Sequence, residues 1–408
     1  MTTPNLQPGQ RLELDITTVA FGGDGIGRHE NFVIFVPFVI AGERVEVELV
    51  DIKPKYATAD LIRVITPSPH RIAPRCPYYA QCAGCQYQHI DYAHQLEMKS
   101  AQIRDVFQRI GKIKEPPIEP VVASPKPFNY RNKIVVHGPG KPGFWTMRGR
   151  SILPIAQCPI ARDEINVQLA EISRQELADV HLTLRVNSVG QLWTYTEVKG
   201  RGAVPQLPDA APSEIEEIVL GKALRVPVGS FFQINADVIA AALQHARAAF
   251  AASGCKILVD AYCGVGLFAL LLADLAEHVY GMELDARAIE YANANAQRLG
   301  ITTPHDFYPG STDRLLFYTL RQVNLDETCL ILDPPRSGCG VAVLKALAKQ
   351  KPRKILYVSC APAMLARDVK DLLKAGYRLE KVTPFDMFPQ TQHCEAIAEL
   401  VPVHANSA

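Results

Sequence analysis

Cys360 closes the apolar run Lys354-Ile355-Leu356-Tyr357-Val358-Ser359, and Glu395 follows thirty-five residues later at the end of Phe388-Pro389-Gln390-Thr391-Gln392-His393-Cys394-Glu395. A thiol at the end of a β-like run presents a soft nucleophile at a sheet edge. A carboxylate later in the same domain can remove a proton. Covalent attack followed by proton abstraction is the chemistry needed to alkylate a carbon that is not itself nucleophilic. A cysteine after a β-run is, taken alone, more often a small buried hydrophobe. The turn at Pro362 and the carboxylate downstream single this one out. Free cysteine titrates at about pH 8.5, so a nucleophilic Cys360 needs help, for which Ser359, the helix starting near Ala363 and Arg336 are candidates.

The elements that must hold this pair begin near residue 225, where strands and helices alternate. Strand Lys256–Asp260 precedes helix Leu267–Leu275, and strand His278–Glu283 precedes helix Ala286–Leu299. Strand Thr328–Leu332 then leads to helix Val341–Gln350, and strand Lys354–Ser359 to helix Ala363–Ala375. Strands separated by helices predict a parallel sheet with right-handed crossovers. Two closing runs, Tyr377–Val382 and Ala396–Val401, have no helix between them and predict an antiparallel strand at one edge. Asp260-Ala261-Tyr262-Cys263-Gly264-Val265-Gly266 is a small-residue turn between a buried strand and a helix, where the backbone can approach a ligand. Glu283, about 20 positions further on, is placed to accept hydrogen bonds from ribose hydroxyls. The turn lacks the three-glycine fingerprint that seats a pyrophosphate, so a dinucleotide is not expected.

The first half reads differently. Residues 9–66 alternate apolar and polar side chains in four or five short runs, among them Phe32-Val33-Ile34-Phe35-Val36 and Arg44-Val45-Glu46-Val47-Glu48-Leu49. This predicts a small β-barrel of the oligonucleotide-binding type. Pro67, Pro69 and Pro74 mark a linker. Ala93 to Ile110 predicts a helix, Ile165 to Leu177 another, and residues 116–220 otherwise predict mixed strands and loops. The division is therefore a barrel at 1–68, a mixed α+β central domain at 69–224 and an α/β domain at 225–408.

The chain has 408 residues and ordinary globular composition, 48% hydrophobic and 21% charged. No apolar run approaches the roughly 20 residues that span a bilayer, and Met1 to Gln10 carries no cationic or apolar leader, so a cytoplasmic protein without a membrane partner is expected. Net charge is only +1, but Gln95 to Ile160 holds 11 Lys/Arg against 4 Asp/Glu, while residues 1–75 hold 8 against 9. A basic middle in a neutral chain suits a phosphate-rich partner held on one face. Ten cysteines without an export signal point to metal binding or catalysis rather than a disulfide framework. Four of them, Cys76, Cys82, Cys85 and Cys158, lie in the first half. Four thiolates suit tetrahedral zinc or a four-iron cluster. Three ligands close together with the fourth seventy-three residues away, beside Pro159, is the spacing nearer to iron–sulfur usage.

The pattern Asp-x-x-Cys-Gly-x-Gly at Asp260–Gly266 resembles the first motif of S-adenosylmethionine-dependent methyltransferases. With Asp333-Pro334-Pro335-Arg336, Val358-Ser359-Cys360 and the Glu395 segment, the chain resembles the RNA uracil-5-methyltransferases over nearly its full length. The first 66 residues resemble that family's TRAM module, and the Cys76, Cys82, Cys85 and Cys158 set resembles the iron–sulfur ligands of the ribosomal-RNA branch. The resemblance implies a class I methyltransferase domain preceded by the barrel and a central domain with a cysteine-bound [4Fe-4S] cluster. It implies that Cys360 is the nucleophile and Glu395 the base. Gln233 in Ser230-Phe231-Phe232-Gln233-Ile234-Asn235 and Asp333 would line the site between donor and base, Tyr262 and Glu283 would contact the donor, and Phe231 would stack on the target base. Cys263 and Cys394 occupy positions the family does not use, and read as packing residues.

Under this resemblance the donor is S-adenosyl-L-methionine and the partner an RNA, with no obligatory protein partner evident. The expected reaction is methylation of carbon 5 of a uridine in 23S ribosomal RNA; transfer RNA is the alternative substrate, and a non-catalytic RNA-binding or assembly factor a third reading. Carbon 6 is attacked above the ring plane, so the uridine must leave its stack, at least cost from a loop or unpaired segment. Arg131, in Tyr130-Arg131-Asn132-Lys133 of the basic middle, is a candidate to grip phosphates near the flipped base.

Overall fold

Residues 6–147, 149, 151–196 and 213–403 are described by the structure, a computed structural model. Arg148 and Arg150 of the basic stretch, residues 197–212 of the expected central domain and five residues at each end of the chain lie outside them.

The alternating N-terminal runs form β1 (Arg11–Asp15), β2 (Thr18–Val19), β3 (Gly25–His29), β4 (Phe32–Val36), β5 (Arg44–Ile52) and β6 (Tyr56–Thr66). They make one sheet in the order β1-β5-β6-β4-β3-β2, antiparallel except where β4 meets β6. Val45, Val47 and Leu49 of β5 turn into the core with Leu14, Ile34 and Val36, while Glu46 and Glu48 pair outside with Arg63 and Arg11. That is the period-two pattern of a half-buried strand.

The middle of the chain builds a second sheet, in the order β11-β10-β7-β8-β9, from β7 (Lys133–His137), β8 (Gly143–Trp145), β9 (Ile152–Pro154), β10 (His181–Val186) and β11 (Leu192–Thr196). Before it comes α1 (Tyr92–Arg109), and α2 (Asp163–Ile172) packs against β10. The helix expected at Ile165 to Leu177 stops at Ile172, where the Ser173 hydroxyl turns back to donate to the Ala170 carbonyl.

The apolar face of α1 does not serve the middle sheet. Ile103, Val106 and Phe107 join the C-terminal core with Leu365, Val369 and Val382. Residues 116–122 then run beside the last-but-one strand, Tyr377–Phe385. Val382 N–H donates to Pro117 O, Glu119 N–H to Val382 O and Val122 N–H to Pro384 O. The middle of the chain thus lends the C-terminal layer a helix and a strip along its edge, covering backbone groups that would otherwise be unpaired.

The C-terminal layer opens with the hairpin β12 (Glu214–Val219) and β13 (Lys222–Pro227), followed by α3 (Ala236–Ser253). The rest alternates: β14 (Ile257–Asp260), α4 (Leu267–Leu271), β15 (His278–Glu283), α5 (Ala286–Arg298), β16 (His305–Pro309), α6 (Thr312–Gln322), β17 (Thr328–Leu332), α7 (Val341–Lys349), β18 (Lys354–Ser359), α8 (Pro362–Lys374), β19 (Tyr377–Phe385) and β20 (Glu395–Pro402). The sheet order is β16-β15-β14-β17-β18-β20-β19. Pairings are parallel through β18, and β20 enters antiparallel between β18 and β19. The reversed strand therefore sits one in from the edge, and its first residue meets the last residues of β18.

Candidate active site

That register builds the site. Ser359 of β18 stands opposite Ala396 of β20, so Cys360 and Glu395 face each other one step beyond the ladder. Behind Cys360 the chain turns into α8, with Pro362 in its first turn and Ala361 N–H donating to Ser359 Oγ at 3.1 Å. Glu395 is buried, and β19 flanks it through Phe385. Burial raises the Cys360 thiol pKa, and the Glu395 charge raises it further; the Arg336 guanidinium beside it pulls the other way. Burial, with Asp333 second, pushes Glu395 well above the usual carboxylate range, again opposed by Arg336. Of the three aids named for the thiol, Ser359 accepts the Ala361 N–H on its oxygen, and Arg336 is the opposing positive charge.

Cys360 and Glu395 form one end of a cleft of about 1530 Å³. Its other end is the glycine turn after β14. Gly264 and Gly266 have φ of +52° and +90°, a region that side-chain-bearing residues rarely adopt. Gly264 N–H donates to Glu283 Oε2 at 3.2 Å, and Asp285 N–H to Glu283 Oε1 at 3.0 Å, so the acidic residue is locked against the turn. Tyr262, Gln233 and Asp333 line the wall between the ends, and Phe231, 78% exposed, stands on the rim. Below the turn, buried Asp260 accepts Ala269 N–H on one carboxylate oxygen while the other has no partner; burial and then the Asp333 charge push it up to about 7. Asp333 is raised too, by burial first and Glu283 second. A cleft lined by this many carboxylates favours a cationic occupant.

The segment carrying Phe231 and Gln233 is held from the middle sheet. Asn132 Nδ2 donates to Gln233 O at 3.1 Å. Arg185, buried against Glu217 at 3.1 Å, reaches Ser230 O at 3.5 Å.

Cys76, Cys82, Cys85 and Cys158, remote in sequence, line one cavity of about 420 Å³. All are free thiols. Burial raises Cys85 to about 12 and Cys158 to about 11. Among the described residues no group of three or more His, Cys, Asp or Glu is arranged to hold a single metal ion. Arg131, Arg336 and Phe388 line this cavity and the cleft alike, forming the partition between them. His393 faces the cysteine side and stands edge-on to Phe388, with ring centroids 5.9 Å apart.

Cys360, Glu395, Gln233, Tyr262, Glu283, Asp333, Phe231 and Arg131 line the cleft, and the four cysteines line the second cavity. Sequence reasoning assigned no contacts to Leu284, Ser311, Thr312 and Asp313, which also line the cleft. Ser311 and Thr312 start α6 after a polar edge strand, and a serine–threonine–aspartate run before a helix was the available signal.

Comparison with known proteins gives the same outline. Residues 5–62 match the TRAM domain, and residues 219–401 match the family described as tRNA (Uracil-5-)-methyltransferase. An uncharacterized RNA methyltransferase of Gloeobacter violaceus is 35% identical, with 97% of each chain covered. One of a Nostoc species is 32% identical, with 98% of each covered. Among solved structures, the Pyrococcus abyssi tRNA (uracil-54, C5)-methyltransferase, determined with S-adenosyl-L-homocysteine, superposes with a TM-score of 0.72 at 26% identity. That match covers 96% of this chain and 100% of the other.

Proposed function

This chain belongs to the RNA uracil-5-methyltransferase family, and on that premise we propose that it methylates carbon 5 of a uridine in 23S ribosomal RNA through a covalent adduct of Cys360. It is an RNA methyltransferase that uses S-adenosyl-L-methionine. The observation that carries the mechanism is the juxtaposition of Cys360 and Glu395 across β18 and β20, at the end of a cleft whose far end is the glycine turn.

The Cys360 thiolate, supported by Arg336, adds to carbon 6 of the flipped uracil, and the ring becomes an enolate with electron density on carbon 5. Carbon 5 takes the methyl group from the sulfonium, leaving S-adenosyl-L-homocysteine. The Glu395 carboxylate removes the carbon 5 proton, the double bond re-forms, and the thiolate departs. One difficult step is split into easier ones. Glu283 and Tyr262 hold the donor, Gln233 and Asp333 lie between donor and base, Phe231 stacks on the target nucleotide, and Arg131 holds a neighbouring phosphate. Once ionised, the Asp260 and Asp333 carboxylates near the donor site favour its positive charge.

We read Cys76, Cys82, Cys85 and Cys158 as the ligands of a [4Fe-4S] cluster. The four thiols line one cavity, and their spacing in the sequence, three close together and the fourth beside Pro159, is the support for a cube of irons over zinc. The cluster would tie the 76–85 loop to the segment at 158; methyl transfer has no redox step for it. Visible absorbance lost on iron chelation would support this, and a colourless protein with stoichiometric zinc would refute it.

The 23S substrate rests on the cysteine set, and the barrel at 1–68, the central domain at 69–224 and the catalytic domain at 225–408 would share the RNA surface. Transfer RNA is the second reading, supported by the full-length likeness to the Pyrococcus abyssi enzyme. The intact Cys360 and Glu395 pair speaks against a non-catalytic assembly factor. Ten free thiols suit a reducing cytoplasm, and no described helix is long and apolar enough to cross a membrane. Labelled donor incubated with separated unmodified ribosomal and transfer RNA pools tests the substrate: label in transfer RNA alone overturns the ribosomal reading.

A further inference from the structure

Glu395 is preceded by a nine-residue irregular segment, Asp386–Cys394, whose fastenings come from far earlier in the chain. Lys99 of α1 is 1% exposed. Its ammonium donates to Asp386 Oδ1 at 2.6 Å, to Phe388 O at 3.2 Å and to His393 O at 3.0 Å. Three donors meet three acceptors, so the group is fully used. One nitrogen gathers both ends of the segment, and its last acceptor lies two residues before the carboxylate. Gln95, one helical turn earlier, grips the middle: its Nε2 donates to Gln390 Oε1 at 3.0 Å, and Gln390 N–H donates to Gln95 Oε1 at 3.2 Å. Gln390 is buried with φ of +70°, a conformation that needs outside support.

We propose that Lys99 is a positioning residue for Glu395: its ammonium sets where the carboxylate stands relative to carbon 5 of the bound base. The proposal rests on the reading of Glu395 as the base. From Glu395 onward the sheet ladder fixes the backbone, whereas before it the path is set by the gathered carbonyls. A buried ion pair is a poor stabiliser beside apolar packing of the same volume, but it specifies geometry through its hydrogen bonds. Lys354 supplies the contrast. It too is a largely buried lysine, paired at 2.7 Å with Glu399, in the middle of β20 and inside the sheet ladder.

The test uses the full-length protein with RNA substrate and labelled donor. Single turnovers are quenched in denaturant, and methylated protein–RNA adduct is separated from released product. Lys99→Met is expected to slow product release from the adduct by about 10- to 100-fold, the scale of a misplacement of about 1 Å. Adduct formation and donor affinity should stay within about threefold of the parent, so the denaturant-resistant adduct accumulates. The double variant Lys99→Met/Asp386→Asn leaves no uncompensated buried charge and carries the same expectation should the single variant fail to fold. Lys354→Met, a stability control, should not shift the adduct-to-product ratio. Equal losses of adduct formation and product release in the Lys99 variants, or release at the parent rate, overturn the proposal. Glu395→Gln runs in parallel. Adduct in that variant but not in the Lys99 variants sinks the positioning role alone; no adduct in Glu395→Gln removes the base and the proposal with it.

Discussion

Cys360 and Glu395 face each other across neighbouring strands, but they reach their places by different means. Cys360 is fixed by what surrounds it in sequence: a buried strand, a serine hydroxyl accepting the Ala361 N–H, and a proline-started helix. Glu395 follows a segment whose hydrogen bonds go to Lys99 and Gln95, nearly three hundred residues earlier, and to Tyr130, whose hydroxyl donates to Pro389 O. The proposed nucleophile belongs to the sheet, while the proposed base belongs to the assembled molecule. The donor end of the cleft resembles the nucleophile in this respect, because the glycine turn is locked by Glu283 of the next strand. The rim that carries Phe231 resembles the base, because Asn132 and Arg185 of the middle sheet hold it. Cys360 and the glycine turn are thus built locally, whereas the Glu395 segment and the Phe231 rim are built by convergence of the modules.

The contrast has consequences of graded size. Cys360→Ala should lower methyl transfer by about 10⁴-fold or more while leaving donor binding and thermal stability near those of the parent, measured by label transfer, titration and thermal melting. A turnover rate near the parent's would end the covalent mechanism. Glu395→Gln should cost about 10²- to 10⁴-fold and leave an RNA adduct that survives denaturing gels. Phe231→Ala should weaken RNA binding by about 1–3 kcal/mol, the scale of one stacked base, without changing the melting temperature, since the ring is 78% exposed. An unchanged RNA affinity would free that ring of its role.

The smallest effect concerns acidity at the donor end. Asp260 is raised from 3.8 to about 7 in the folded chain. A raised carboxylate contributes stability that is complete below its unfolded value and is lost as pH climbs through the folded value. Donor-free protein should therefore lose stability between about pH 4 and 7 through this group and Asp333. A bound sulfonium favours both ionised carboxylates, so donor affinity should rise with pH up to about 7, by at most about tenfold per pH unit for each proton released. S-Adenosyl-L-homocysteine, which lacks the positive charge, should show a flatter profile by calorimetry. Equal slopes for the two ligands would separate these carboxylates from donor charge.

The local half of the site was legible in sequence for the same reason that it is local. An apolar run, a cysteine and a proline specify Cys360 within a short window, and the glycine turn with Glu283 does the same for the donor end. Several elements of the C-terminal layer were not legible. Alanine-rich α3 blurs its apolar stripe, edge strand β16 buries only Phe307, and α6 interleaves polar residues through its apolar positions. Lys99 shows the limit most clearly. Counted among the basic residues of the middle stretch, it is enclosed with Asp386, and no neighbour in sequence signals this. The four thiols were recognisable by spacing, but their shared wall with the cleft, through Arg131, Arg336 and Phe388, exists only once the chain is folded.

The strip at 116–122 and the helix before it carry a further implication. The family match begins at residue 219, yet the layer it names borrows the apolar face of α1 and the cover of its outer strand from residues about a hundred places upstream. The catalytic half is therefore not a cassette that can be clipped out at the homology boundary. Severed there, it would bare a raw β-edge beside a greasy trench, the kind of surface that seeks another copy of itself. Recombination among relatives has to move α1 and its trailing strip together with the fold they complete.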